Sequence, residues 1–114
     1  MNALNPGKLY STQVYKYLTQ DGKGLFSFSY HYENGHYVVA IHQHPDYNGR
    51  IEYSSVAHWL PCEFSPLNKK ICFKEGFEPS TLEQAKRNSI QFAELTWNYI
   101  KTGITIDQQL INRN

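Results

Sequence analysis

The stretch LFSFSYHYENGHYVVAIHQH, residues 25–44, decides the fold. Phe26, Phe28, Tyr30 and Tyr32 alternate with Leu25, Ser27, Ser29 and His31, the period of two that sends successive side chains to opposite faces of a strand. Asn34 and Gly35 follow, and this dipeptide tolerates positive φ at both central positions of a type I′ turn. Between two β-rich runs it predicts a two-residue hairpin. Such a turn sets Glu33 opposite His36, and counting outward fixes every later pair. Tyr32 then faces Tyr37, Tyr30 faces Val39 and Phe28 faces Ile41, which makes one aromatic and β-branched face that has to be buried. The reverse face pairs His31 with Val38, Ser29 with Ala40, Ser27 with His42 and Leu25 with His44. It is small and polar, suited either to solvent or to the close approach of another chain.

Working outward, residues 10–18 are rich in Tyr and are read as a strand, although Tyr10, Val14, Tyr17 and Leu18 also align on a helix. Residues 21–24 and 45–49 are turn clusters. In the segment 50–59, Ile51, Tyr53, Ser55, Ala57 and Trp59 alternate, so a strand is expected, with a helical turn closed by Val56, Trp59 and Leu60 as the alternative. Pro61 and Pro66 bound a loop, and 70–74 is a short strand that points Ile71 and Phe73 together. A helix is predicted over 81–102, because Ser80 and Glu83 have capping-box spacing, Lys101 lies in the last turn and Gly103 stands where a C-cap glycine belongs. Its apolar residues, from Leu82 through Phe92, Trp97 and Tyr99 to Ile100, span about half its circumference, wider than an ordinary core stripe. The excess is expected to meet either the tail 104–111 or a second subunit, while Glu83, Arg87, Gln91, Glu94, Asn98 and Lys101 face solvent. The fold class that follows is α+β: an antiparallel sheet of four to five strands, meander-like, with one long C-terminal helix packed on the aromatic face.

The 114 residues suit one domain, 1–114. Leu, Ile, Val and Phe supply 27 of them, more than the roughly one-fifth below which chains stay disordered. Eleven basic against ten acidic residues leave a net charge of +1, short of the basic footprint of a dedicated nucleic-acid domain. A secretion signal and a membrane span are not read in the sequence, and two cysteines are too few for a disulfide framework, so both are read as thiols in a cytoplasmic protein.

Several constellations bear on chemistry. His42 and His44, two apart on a strand, project to one face, with His31 on the same face and Asp46, His58 and Cys62 following. These are the ligand types of a Zn site, and the alternative reading is a metal or small-ligand site on this sheet face, hydrolytic with Asp46 as base or ligand, though no close Cys pair accompanies them. For thiol chemistry, Cys72 sits between Lys70 and Lys74, but no His is brought to it by sequence. Cys62, four residues after His58 in a Pro-bounded loop, reads as the more accessible thiol. Tyr10, Tyr15, Tyr17, Tyr47 and Tyr53 with Lys8, Lys16, Lys23, Arg50, Lys69, Lys70 and Lys74 form a weaker case for binding single strands or RNA. The signatures of the readily recognised enzyme classes are missing. The leading expectation is therefore a non-enzymatic, cofactor-free interaction or regulatory protein that recognises a protein partner or itself as a homodimer. Trp97, Tyr99, Tyr47 and Tyr53 are its candidate interface residues, since such rings are apolar at one end and hydrogen-bonding at the other.

Overall fold

A computed structural model describes residues 14–112. The elements run β1 (Tyr15–Leu18), β2 (Leu25–Glu33), β3 (His36–Gln43), α1 (Ser54–Ala57), β4 (Trp59–Leu60), β5 (Lys70–Ile71), α2 (Leu82–Thr102) and α3 (Ile106–Ile111). All strands pair antiparallel in one five-stranded sheet ordered β1-β2-β3-β5-β4. The first three strands form the expected meander, and β5 then inserts between β3 and β4. Positions 10–13 of the predicted first strand lie outside the described residues.

The hairpin forms as counted. Asn34 and Gly35 take φ of 55° and 85°, and the pairs run from Glu33–His36 outward to Phe28–Ile41. Beyond that the register changes, because Ser27 pairs with Gln43 and not with His42. His42 is the extra residue of a β-bulge, which moves every later side chain of the bulged strand by one position.

Phe26, Phe28, Tyr30, Val39 and Ile41 are buried against Ala85, Phe92 and Ala93 of α2. Phe28 meets Phe92 edge-on with ring centroids 6.4 Å apart, and the Tyr30 hydroxyl and Ser89 Oγ lie 2.8 Å apart. The long helix thus packs on the aromatic face. A second cluster joins Tyr47 and Ala57 to Tyr99 and Ile100. On the reverse face Val38 and Ala40 pack with Cys62, so the Pro-bounded loop of this same chain makes the close approach that the small side chains permit. Ser65 of that loop donates its hydroxyl to the Ile41 carbonyl.

Three local expectations are corrected. The segment 50–59 is not a strand: the Tyr53 carbonyl accepts from the Val56 and Ala57 amides, a helical turn forms over 54–57, and Ile51 and Tyr53 are 54% and 75% exposed. The alternation there was coincidental. Helix α2 is capped by Thr81, whose side chain accepts from the Gln84 amide, one residue later than the Ser80–Glu83 spacing suggested. Glu94 is not simply solvated, since it accepts hydrogen bonds from the Tyr17 hydroxyl and the Gln20 amide and ties β1 to the helix. The tail covers part of the apolar width of α2: Ile106 is buried, and Gln109 Nε2 donates to the Leu95 carbonyl at 3.0 Å, while Leu82 and Ile90 stay exposed.

Candidate functional site

A groove of about 460 Å³ opens between α2, α3 and the segment after β5. Its floor is apolar, made by Ile71, Phe73, Phe92, Leu95 and Ile106. Gln84, Asn88 and Gln91 form a stripe of carboxamides along one side of α2, because positions three and four apart share a helix face. Phe77, 65% exposed, and Leu110 stand at its lip. His58, Cys72 and Lys74 complete the lining, which contains no carboxylate.

Helix α1 places His58. Its last residue is followed by His58 in the left-handed conformation, φ 59°, which reverses the chain into β4; a non-glycine residue there costs on the order of 1 kcal/mol. The Cys72 amide donates to the His58 carbonyl at 2.9 Å, continuing the β4–β5 pairing by one step, and both residues line the groove. His58 Nε2 lies 2.9 Å from Asp107 Oδ1 in the first turn of α3, a close contact whose angle falls outside hydrogen-bond geometry. Cys72 is partly exposed and Cys62 is buried, the reverse of the accessibility expected from the proline-bounded loop.

The sequence-predicted ligands are dispersed. His31 and His42 do come together, each with Nε2 on Ser29 Oγ, at 2.8 and 2.7 Å. Burial pushes both imidazoles below their ordinary pKa, and for His31 the neighbouring His42 adds to the shift. The bulge turns His44 away from them. Its ring sits edge-on to Tyr47 with Nε2 3.1 Å from Lys69 Nζ, and burial again lowers its pKa, with Lys69 contributing. Asp46 accepts from the Asn48 amide to close a turn, His58 belongs to the groove, and Cys62 to the reverse-face core. Among the described residues, no group of three or more His, Cys, Asp or Glu side chains is arranged to hold a metal ion.

The candidate interface rings have mostly internal roles. Tyr47 and Tyr99 are buried, and the Tyr99 hydroxyl donates to the Ile51 carbonyl. Trp97 donates its indole N–H to Asp21 at 2.8 Å. Tyr53 alone of the four is open to solvent. The Tyr and Lys set for nucleic acid is likewise engaged: Tyr15 and Tyr17 pack on the core, and Lys69 lies over the Tyr47 and Trp59 rings. Lys8 and Tyr10 lie outside the described residues.

Sequence reasoning missed Asp107 and the carboxamide stripe. The signal that finds Asp107 is the Thr105–Gln108 capping box opening α3, a T-x-x-Q spacing legible in the tail. No family model matches the chain, and neither a curated protein nor a solved structure does.

Proposed function

We propose that the chain acts by recognising an extended, apolar segment of a protein partner in the groove between α2 and α3. The observation that carries this reading is the combination of an apolar floor with the Gln84, Asn88 and Gln91 stripe. Carboxamides both donate and accept, so they suit the exposed N–H and C=O groups of an extended peptide, while the floor takes its side chains. With Lys74 the lone lysine or arginine of the lining and no carboxylate beside it, the preferred segment is neutral or acidic. Helix α3 of the same chain packs along α2 and forms one wall of the groove, so the reading gives the partner role to a different protein and not to a second copy. Among the described residues no helix is long and apolar enough to cross a membrane, and two free thiols suit a reducing compartment such as the cytoplasm. The test is selection of a displayed random dodecapeptide library, followed by amide-shift mapping of the winners on the labelled protein. Enriched apolar-acidic peptides that shift Asn88, Phe92 and Leu110, and that lose affinity on Leu110→Arg, support it. Enrichment of basic peptides, shifts elsewhere or no enrichment would reject it.

A second reading rests on Cys72, His58 and Asp107. In it, the groove holds an acyl compound with its carbonyl carbon over Cys72. His58 takes the thiol proton while the sulfur attacks, an S–C bond forms, and the leaving group departs with the proton returned by His58. Asp107 balances the charge of the ring. Nitrophenyl acetate and butyrate probe this directly: a burst of nitrophenol with an acyl mass increment on Cys72, abolished in Cys72→Ser and slowed in His58→Ala, is expected. An unmodified Cys72 disproves the reading.

A further inference from the structure

We infer that His31 and His42, bridged by Ser29 on the sheet face opposite α2, form a site for an imidazole-seeking divalent transition-metal ion, Zn²⁺ or Cu²⁺. Two imidazole Nε2 atoms converge on one point, lying 2.8 and 2.7 Å from the same Ser29 Oγ. The cause of this convergence is local. His42 follows Ile41 and so shares the face of Ser29 and His31, and the bulge there lets Gln43 take the place opposite Ser27. The His31 ring is further fixed by parallel stacking on Phe64, 4.0 Å between centroids.

The protonation state suits ligation. A hydroxyl can donate to one nitrogen and accept from the other, so the trio is satisfied with both rings neutral, and burial keeps them so. Neutral imidazole is the form that binds a metal. An ion would take the position the Ser29 hydroxyl holds between the rings, at the roughly 2.0–2.1 Å of an imidazole–metal bond, so each ring closes on it by less than about 1 Å. The Ser29 side chain turns out of that position, and water oxygen completes the coordination. Two nitrogens and an oxygen match the preference of Cu²⁺ and Zn²⁺ over Mg²⁺ or Ca²⁺. The Glu33 carboxylate also favours positive charge at His31. His44 is no part of the site, because its Nε2 faces the Lys69 ammonium.

The test is titration of the full chain with Cu²⁺ and, separately, Zn²⁺. One equivalent should bind, with Cu²⁺ showing coupling to two imidazole nitrogens by electron paramagnetic resonance. His31→Ala and His42→Ala should each weaken binding by roughly tenfold or more, and His44→Ala should leave it unchanged. Should the alanine variants misfold, paramagnetic broadening in the unmodified protein decides: the ring protons of His31 and His42 should broaden before those of His36, His44 and His58. Absence of stoichiometric binding, or primary broadening at any of those three, overturns the proposal.

Discussion

Cys72 and His58 are joined through the backbone, amide to carbonyl at 2.9 Å, and they line one groove although 13 positions of chain separate them. The second thiol, Cys62, is buried against Val38 and Ala40 and its amide donates to Asn68 Oδ1 at 2.9 Å. Alkylation should follow this difference. With iodoacetamide under native conditions, one thiol should react early and peptide mapping should place it at Cys72, while Cys62 reacts only as the chain unfolds. Faster labelling of Cys62 would mean that the Pro-bounded loop leaves the sheet in solution.

Acid should weaken the fold well above the carboxylate range. His31, His42 and His44 are all held below the ordinary value, chiefly by burial, whereas in the unfolded chain they titrate near 6.5. Between the folded and unfolded values the unfolded chain carries more protons, so stability is lost as pH falls through about 6.5 and recovers as it rises. Urea midpoints measured from pH 8 down to pH 5 should decrease throughout, and the His42→Gln variant should show a shallower decline. A flat profile would place these rings in solvent.

Gly24 tests the junction of the β1–β2 turn with α2. A Cβ there would stand 2.8 Å from Trp97 Cδ2 and 3.1 Å from Thr19 Cγ2, and the indole cannot easily retreat because its N–H is bonded to Asp21. Gly24→Ala should therefore cost about 1–3 kcal/mol, the usual range for overpacking. Gly22→Ala is the comparison: nothing lies within 4 Å of its added carbon, and only its φ of 75° opposes the change, at about 1–2 kcal/mol. Trp97 emission should change in the first variant and stay constant in the second. Equal spectra would show that the ring is not packed on Gly24.

The hairpin and α2 were legible because each has a local code that tertiary contacts do not override: strict alternation around Asn34 and Gly35 in one, helical spacing ended by Gly103 in the other. The bulge at His42 was not legible, since alternation through Ile41, His42, Gln43 and His44 looks the same with or without an extra residue. That single insertion removes His44 from the expected set of His31, His42 and His44 and leaves His31 and His42 together. The groove was hidden for a different reason. Its walls come from residue 58, the segment 71–77, α2 and α3, and only the folded chain assembles them. Alternation over 51–59 misled because Ile51 and Tyr53 were apolar without being buried; their backbone feeds the Tyr99 hydroxyl and the α1 turn instead.

The first turn of α2 separates two capping schemes that differ by one residue. Thr81 has extended backbone angles and accepts from the Gln84 amide at 3.1 Å, whereas Ser80 contributes only its own amide, donated to Gln84 Oε1 at 3.3 Å. Glu83, free of any capping role, instead pairs with Arg87 at 3.3 Å, an exposed contact worth about 0.3–0.5 kcal/mol. Thr81→Ala removes the side chain that satisfies an otherwise orphaned amide and should cost about 0.5–2 kcal/mol, lowering Tm by roughly 4–8 °C per kcal/mol for a chain of this size. Ser80→Ala should shift Tm much less. If calorimetry ranks the two variants in the opposite order, Ser80 is the cap and the helix begins one residue earlier.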